Sequence, residues 1–463
     1  MAGITSVSQC HTKMTFMIHK PQPRPFPEYH ISGKLSFLFF IISIAFCSCS
    51  TEYDSEESDL SDSQTESPAP DIYLAGSTGD EFRRNATYWK NGKAVALTDS
   101  SNYAEATSIV VSGEDVYVAG YEFNGTNNVA KYWKNGVAVP LTDGTAPAVA
   151  HAITLSGNDV YVVGNESNGR TVAAKYWKNG NAVPLTDGTN NADAYAIVVV
   201  GNDVYVAGDE NIGTNYVAKY WKNGRSMTLT DGSEEAHAYS LTISGTDIYV
   251  AGGEMNRANG NMIAEYWKNG VPFHLTDGSN NAIALSITIA EGDVYAAGGE
   301  FKDGHFFVAK YWMNGEAVAI TDSSNYSMAN SIVVQDHDIY LAGKELQGTS
   351  KHGSPLVLYW KNGSEVLVQD FSNSSGWTNS IFISGNDSQR EKKHHTNDSQ
   401  NGSVAIQAGS GSSGELFSFH IKHSKKLPKQ HSTTKNKGYT LPKVRSGNSI
   451  LKLRNTTVRS HRK

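Results

Sequence analysis

Residues 108–142 read SIVVSGEDVYVAGYEFNGTNNVAKYWKNGVAVPLT, and this stretch decides the fold. Four segments rich in β-branched and aromatic residues, which favour strands, alternate with short turn-forming or polar stretches: 108–111, 116–120, 130–133 and 138–142. Asn135-Gly136 favours a tight hairpin, because both central residues of a type I′ turn need a positive φ. Pro140 has no N–H to donate, so the fourth strand should lie at an outer edge. The stretch therefore predicts a four-stranded antiparallel unit.

The same unit recurs along the chain. Each copy contains a Tyr-Trp pair, and the tryptophans are Trp89, Trp133, Trp177, Trp221, Trp267, Trp312 and Trp360. Their spacings are 44, 44, 44, 46, 45 and 48 residues. A period of this size indicates either propeller blades or a helical array, and the β-rich pattern favours the propeller.

The two ends of the repeat region complement each other. The first copy begins at its second strand, 72–76, whereas the last copy leaves over a first strand at 380–384, followed by a turn at 385–387. Together they complete one blade, which removes the free sheet edges of an open array. We therefore predict an all-β fold: a seven-bladed β-propeller of four-stranded antiparallel blades over residues 71–387, closed by pairing of the N- and C-terminal strands.

The charges of the chain are distributed unevenly. The formal net charge is −7, but residues 420–463 contain thirteen Lys and Arg and no acid, which leaves about −20 on the rest. Nucleic-acid binding by the propeller is not expected, because neutralising phosphates needs Lys and Arg on one face. The three cysteines, Cys10, Cys47 and Cys49, all precede the repeats, so no disulfide is predicted in the propeller.

The N-terminal segment, residues 1–49, has the features of an export signal, and translation from a later methionine would shorten it. Its apolar run at 35–46 is too short to span a bilayer comfortably and suits the core of a signal peptide. Cys49 follows the small residue Ser48 and resembles the lipidated cysteine of bacterial lipoproteins, although Phe46 departs from the usual Leu. We predict lipidation at Cys49 and a lipid-anchored protein of the outer membrane or cell surface, with a periplasmic or secreted protein as the alternative.

Two low-complexity segments flank the repeats. Residues 50–70 form an acidic, Ser-rich tether that is predicted to be disordered, and its acidic start resembles the surface-export signal of Bacteroidetes lipoproteins. The repeat stops after residue 387, and residues 388–463 form a basic tail that is also predicted to be disordered. The tail offers positive charge to anionic lipid, lipopolysaccharide or nucleic acid, and a solvated appendage is the simpler interpretation.

The residues that recur in every copy have structural interpretations. Each Tyr-Trp pair is predicted to pack between blades. An Asp recurs at the start of strand two and is predicted to accept local backbone N–H bonds: Asp71, Asp115, Asp159, Asp203, Asp247, Asp293 and Asp338. The face that carries the longer loops should also hold two acidic sets, which are Glu122, Glu166, Glu210, Glu254, Glu300 and Glu345, and Asp99, Asp143, Asp187, Asp231, Asp277 and Asp322. These acids are expected to bond neighbouring loops or shape turns, and a ring that attracts cations or basic partners is the alternative. No cofactor is predicted apart from calcium, and no loop shows the ligand spacing of an EF-hand.

Two positions at the start of the innermost strand vary between the copies, and variable positions on a rigid scaffold carry binding. One set is Glu105, Val149, Asp193, His237, Ile283, Met328 and Trp377, and the other is Thr107, His151, Tyr195, Tyr239, Leu285, Asn330 and Asn379. Both sets should face the mouth of the central channel. The candidate ligand-binding residues are Glu105, Thr107, His151, Asp193, Tyr195, His237, Tyr239, Asn330, Trp377 and Asn379. This mixture suits a polar ligand such as a sugar or a peptide, oriented by a few hydrogen bonds.

The sequence shows no catalytic or metal-binding constellation. Glycoside cleavage needs two carboxylates close together, and the only nonrepeated acids expected near the mouth are Glu105 and Asp193, which are two blades apart. A lyase reaction in which His151 and Tyr195 move a proton is the other catalytic alternative. His151 and His237 are also two blades apart, so no zinc site is predicted.

The repeated motifs YWKNG, LTDG and DVYVAG resemble those of uncharacterised tandem-repeat propeller lipoproteins of Bacteroidetes. The resemblance covers residues 71–387 and implies the fold and export rather than an activity. We predict a monomeric, lipid-anchored and non-catalytic propeller that binds a glycan, a peptide or an envelope protein through its variable loop face. The alternatives are a carbohydrate-active hydrolase or lyase with its site at the channel mouth, and a structural scaffold of an envelope assembly.

Overall fold

The computed structural model describes residues 69–79, 83–302, 306–347, 354–368 and 375–384. All of them belong to one compact unit. The predicted signal segment with Cys49, nearly all of the acidic tether and the whole basic tail lie outside the described residues. Within the described ranges, no helix is long and apolar enough to cross a membrane.

The strands of the first four blades follow the repeat. Blade 1 contains β1 (Ile72–Gly79), β2 (Arg84–Lys90), β3 (Lys93–Ala96) and, from the C-terminal end, β29 (Gly376–Ile383). Blade 2 contains β4 (Ala104–Ser112), β5 (Asp115–Phe123), β6 (Asn128–Lys134) and β7 (Val137–Pro140). Blade 3 contains β8 (Ala148–Ser156), β9 (Asp159–Ser167), β10 (Val172–Lys178) and β11 (Asn181–Pro184). Blade 4 contains β12 (Ala192–Val200), β13 (Asp203–Ile212), β14 (Asn215–Lys222) and β15 (Arg225–Thr228).

The remaining three blades have the same order. Blade 5 contains β16 (Ala236–Ser244), β17 (Asp247–Met255), β18 (Met262–Lys268) and β19 (Val271–His274). Blade 6 contains β20 (Ala282–Ala290), β21 (Asp293–Lys302), β22 (Phe306–Met313) and β23 (Glu316–Ala319). Blade 7 contains β24 (Ser327–Gln335), β25 (Asp338–Gln347), β27 (Leu358–Lys361) and β28 (Ser364–Leu367), with the short β26 (Ser354–Pro355) paired to β25. The seven-bladed, four-stranded antiparallel propeller is thus confirmed.

The local turn chemistry is as predicted. Asn135 and Gly136 have φ of 51° and 81°, as a type I′ hairpin requires. The strand with Pro140 is the outermost of its blade, where the missing N–H costs no ladder bond.

The seven innermost strands, β29, β4, β8, β12, β16, β20 and β24, adjoin one another in a closed ring. Closure at the termini is by β-pairing of β29 with β1, from Ile72 opposite Ile383 to Thr78 opposite Gly376. In five blades a serine of the inner strand accepts a hydrogen bond from a backbone N–H of the next blade: Ser108, Ser240, Ser286, Ser331 and Ser380. The ring therefore joins the blades by backbone-directed bonds as well as by packing.

Every innermost strand has a β-bulge at the second variable position, and Tyr195 is an example. The residue of strand two beside the bulge is glycine in all seven blades. A Cβ at Gly208 would lie 2.0 Å from the carbonyl oxygen of Asp193, and the six other glycines have the same contact at 1.9 to 2.0 Å. The bulge therefore requires this glycine and turns its own side chain out of the regular alternation.

The recurring aromatic residues form the core between blades. All seven repeat tryptophans are at most 1% exposed. Trp133 of blade 2, for example, packs with Tyr73 and Ala75 of blade 1. The prediction that the tryptophans pack between blades is confirmed.

The Asp at the start of strand two has a different partner from the one predicted. Asp115 accepts from Asn135 Nδ2 at 2.7 Å and pairs with Lys134 Nζ at 2.8 Å, and each of the six other blades has the same Asn–Asp bond. The nearby backbone N–H of Val116 instead donates to Asn135 Oδ1. The predicted backbone bonds to Asp were wrong, because the paired hairpin brings the Asn-Gly turn beside the start of strand two.

Candidate functional site

Four of the ten candidate residues are buried and form hydrogen bonds between blades: Glu105, Thr107, Asn330 and Asn379. Thr107 Oγ1 lies 2.9 Å from the carbonyl oxygen of Ala150 in blade 3, and Asn330 Nδ2 donates to the carbonyl of Thr378 in blade 1 at 3.0 Å. Asn379 Nδ2 donates to Glu105 Oε1 at 2.9 Å across the boundary between blades 1 and 2. These side chains stabilise the ring, which is a structural role.

Glu105 is the centre of a buried polar network that joins blade 1 to blade 2. Its carboxylate accepts from Tyr121 at 2.9 Å and from Trp377 Nε1 at 3.3 Å, and it lies 3.5 Å from Arg84. The Arg84 guanidinium also lies 3.6 Å from the centroid of the Trp377 ring. We call this group, Arg84, Tyr103, Glu105, Tyr121, Trp377 and Asn379, the latch network. Because its hydrogen bonds and ring contacts join Trp377 and Asn379 to blade 2, the network holds β29, the last strand among the described residues, in place.

The other candidates come together on the opposite part of the mouth, in blades 3, 4 and 5. We call His151, Asp193, Tyr195, His237 and Tyr239 the mouth cluster. The ring centroids are 5.2 Å apart for His151 and Tyr195, 5.2 Å for Tyr195 and Tyr239, and 5.7 Å for Tyr239 and His237. Asp193, Tyr195 and His237 are partly exposed, whereas His151 and Tyr239 are buried. The four rings therefore form a row in which His151–Tyr195 and Tyr195–Tyr239 are tilted by 59° and 46°, and only Tyr239 and His237 are stacked.

Three further polar residues complete the mouth cluster, and the sequence did not single them out for this site. Asn165 donates to Asp193 Oδ1 across the boundary between blades 3 and 4. Asp209 Oδ2 lies 2.6 Å from His237 Nδ1, and Glu235 Oε1 lies 3.2 Å from His237 Nε2. A polar chain therefore links blades 3, 4 and 5.

The statement that Glu105 and Asp193 are the only nonrepeated acids near the mouth was wrong. Asp209 lies directly opposite Asp193 in the pairing of β12 with β13. One signal was available: the position after the strand-two glycine varies between copies, as Ser77, Tyr121, Asn165, Asp209, Gly253, Gly299 and Lys344. Its importance becomes visible only when the register of the two strands is known.

Burial sets the protonation states in the mouth cluster. Burial, reinforced by the charge of Asp209, raises the pKa of Asp193 to about 7, and burial lowers the pKa of His151 to about 4. Burial opposes the charge of His237, but Asp209 and Glu235 outweigh it and raise its pKa to about 10. At neutral pH the cluster therefore favours an imidazolium at His237, a neutral imidazole at His151 and a carboxyl at Asp193 that keeps its proton more readily than an exposed aspartate does.

The recurring acids on the loop face are mostly engaged within their own blade. Glu122 pairs with Lys131 at 2.6 Å, and Glu166, Glu210 and Glu300 pair with the equivalent lysines of their blades. Asp143 accepts the backbone N–H of Thr145 at 2.9 Å, and the other members of its set bond two residues ahead in the same way. Their structural interpretation is supported in all of these cases. Among the described residues, no group of three or more His, Cys, Asp or Glu is arranged to hold a metal ion.

No protein-family model matches the chain, and no curated protein matches it in sequence. Among solved structures, an acylaminoacyl peptidase from Pyrococcus horikoshii is 12% identical with a TM-score of 0.41, and the match covers 65% of this chain and 51% of that one. The β-propeller domain of the Trilobed protease from Pyrococcus furiosus is 10% identical with a TM-score of 0.40, covering 65% and 95%. A putative TolB from Agrobacterium tumefaciens is 11% identical with a TM-score of 0.36, covering 55% and 89%. The chain spans about half the length of the peptidase, and no activity is transferred from these proteins.

Proposed function

We propose that this chain is a non-catalytic, lipid-anchored propeller of the bacterial cell envelope that binds a glycan or a peptide at its mouth cluster. The observation that carries the proposal is the meeting of three partly exposed side chains, Asp193, Tyr195 and His237, on neighbouring blades of a rigid ring. The Bacteroidetes-type repeats and the lipoprotein-like N-terminus support the envelope location. A protein partner from the envelope is the third ligand class that the loop face accommodates.

The chemistry of the mouth cluster suits a ligand rich in hydroxyl or amide groups. Both nitrogens of His237 are held by Asp209 and Glu235, so its imidazolium contributes positive charge rather than a free donor. The carboxyl of Asp193 donates a hydrogen bond when it is protonated, and the second carboxylate oxygen of Glu235 accepts one. The Tyr195 ring offers an apolar face next to these groups, which is the combination that orients polar ligands in preformed sites.

A screen of glycan and peptide arrays with the purified full chain tests this function. We expect a specific ligand whose affinity falls about tenfold or more in Tyr195→Ala, because that substitution removes the exposed aromatic face. Glu114→Gln changes an exposed turn on the opposite face and is the matched control, which should bind like the wild type. Binding that is equal in all three proteins would place the ligand elsewhere, and no ligand at all for a folded chain would favour the scaffold alternative.

One observation favours a hydrolase or lyase as a second candidate. A carboxyl with a pKa of about 7, opposite a second carboxyl, is the pattern of a general acid beside an anionic partner. Against this, Asp209 is fully buried and bonded to His237, so it does not reach a substrate or a water in this conformation. Turnover of a polysaccharide that is lost in Asp193→Asn would establish the catalytic alternative, and binding without turnover would exclude it for that ligand.

The lipid anchor is tested separately. We expect a fatty-acid label to be incorporated into the chain expressed in a bacterial host and to disappear in Cys49→Ala. Cys47→Ala should keep the label. Label that survives in Cys49→Ala would refute the assigned site.

A further inference from the structure

One buried position in the third strand of each blade decides how the charge of the loop-face glutamates is balanced. In blades 2, 3, 4 and 6 this position is a lysine whose ammonium pairs with the glutamate that follows strand two: Lys131, Lys175, Lys219 and Lys310. The lysine side chains are only 6% to 18% exposed. These four blades therefore supply a desolvated cation at the same place.

Blades 1 and 7 have no lysine at this position and need none. Blade 1 has Thr78 and Thr87 at the two positions, and their hydroxyls are 3.2 Å apart. Blade 7 has Leu358 in place of the lysine, and its Glu345 accepts instead from Asn325 Nδ2 at 3.0 Å. Blade 1 therefore has no charged side chain at these positions. In blade 7 the carboxylate of Glu345 is stabilised by a hydrogen-bond donor instead of a lysine.

Blade 5 alone among the seven has an acid at the lysine position, diagonal to the glutamate in the strand pairing. Glu265 occupies the lysine position and Glu254 the glutamate position, in the same strand register. The Glu265 side chain is fully buried, and neither of its oxygens accepts a hydrogen bond. His274 Nδ1 lies 2.8 Å from Oε2 but off the direction of a hydrogen bond. An unpaired carboxylate in this position is costly, because burial removes its water without replacing it.

The surroundings add negative charge rather than compensate for it. Asp231 and Glu234 both act to raise the pKa of Glu254, second to burial. Within the described part of the chain, no lysine or arginine pairs with Glu254 or Glu265. The nearby Arg257 is exposed and pairs with Glu234, with its Nε 3.5 Å from Glu234 Oε1. The boundary of blades 4 and 5 is therefore anionic where the equivalent places in four other blades are neutralised.

We propose that blade 5 binds a small cation between Glu254 and Glu265, at the place that a lysine ammonium occupies in blades 2, 3, 4 and 6. Carboxylate oxygens and water are suitable ligands for calcium, which tolerates variable coordination, so calcium is the first probe. A monovalent ion such as potassium or methylammonium has the same charge as the lysine it replaces. The site is independent of the mouth cluster and of the proposed function.

The protonation of Glu265 reflects the same lack of compensation. Burial, reinforced by Glu254, raises its pKa to about 8, as expected for a buried carboxylate whose charge is not neutralised.

The experiment measures the melting temperature and the heat of binding for the full chain freed of metal ions. Calcium chloride, potassium chloride and methylammonium chloride are added in turn at constant ionic strength. We expect one of these cations at 100 times its Kd to raise the Tm by about 2 to 5 °C.

Glu265→Lys rebuilds the ion pair of the other blades and is the decisive variant. It should be at least as stable as the ion-free wild type and should show no response to the cation. Glu265→Gln keeps the size of the side chain but removes its charge and should respond less than the wild type, which preserves the test if Glu265→Lys folds poorly. Glu345→Gln changes the same glutamate position in blade 7 and should respond like the wild type. The proposal would be overturned if none of the three cations changed the Tm of the wild type. It would also be overturned if both Glu265 variants responded as strongly as the wild type.

Discussion

Seven residues occupy the bulge position of the inner strands, and their side chains make different contacts. Thr107 and Asn330 bond carbonyl groups of neighbouring blades, whereas the rings of His151, Tyr195 and Tyr239 lie in a row at the mouth, tilted to one another. One backbone geometry thus serves both to join blades and to display side chains. Residue type decides whether a side chain joins two blades or lies at the mouth, because a short polar side chain reaches a nearby carbonyl and an aromatic ring does not.

The ionisation of Asp193 should make stability depend on pH. Its folded-state pKa of about 7 lies above the ordinary 3.8, so the folded chain holds a proton that the unfolded chain releases. The contribution of this group to the free energy of unfolding therefore falls as the pH rises from about 4 to about 7 and is constant above that. Asp193→Asn removes this dependence and keeps the acceptor for Asn165.

We expect Asp193→Asn to stabilise the protein more at pH 8 than at pH 4, by a difference of at least about 1 kcal/mol. Denaturant unfolding at the two pH values measures it, and Asp115→Asn, at an exposed ion pair, is the comparison variant. An effect of Asp193→Asn that is equal at both pH values would mean that folding does not shift the pKa of Asp193.

At the scale of the strand, the bulge explains a glycine that recurs in every blade. The carbonyl of the residue two places before each bulge residue points at the glycine of strand two. A side chain there would collide with backbone, which cannot move without breaking the pairing of the two strands. The repeated Ala-Gly is therefore a packing requirement of the inner strand and not a flexible joint.

Gly120→Ala should destabilise blade 2 strongly. Its Cβ would lie 2.0 Å from the carbonyl oxygen of Glu105, and we expect a loss of about 3 kcal/mol or more. Gly113→Asn is the control, because Gly113 has open space around it and a φ of 59° that Asn tolerates. Thermal or denaturant unfolding compares the two variants, and similar losses would contradict the steric explanation.

At the scale of the whole molecule, the ring is closed by a strand from the far end of the chain. β29 pairs with β1, and the latch network then ties Trp377 and Asn379 to Glu105 of blade 2. Ser384 and Asp71 exchange backbone and side-chain hydrogen bonds at 2.9 Å at the edge of the same pairing. Blade 1 therefore depends on residues more than 270 positions apart in sequence.

A chain that ends at residue 375 should lose cooperative folding, because removing β29 exposes the apolar face of β1 and leaves Glu105 buried without two of its donors. A chain that ends at residue 384 keeps the strand and should unfold in one transition close to that of the full chain. Calorimetry distinguishes them. One cooperative transition at an unchanged temperature in the shorter chain would show that the ring does not need this closure.

The sequence by itself determined the blade count, the order of strands, the hairpin turns, the outer-edge strand with Pro140 and the packing of the tryptophans. These features depend on local chemistry, such as the φ of Asn-Gly and the alternation of side chains, and each is repeated seven times. Only the tertiary structure decided which variable side chains meet. Asp209 becomes a partner of His237, and Asn165 of Asp193, through strand register and contacts between blades. Because those contacts join residues that no local pattern relates, the mouth cluster and its pKa values emerge only when the ring closes.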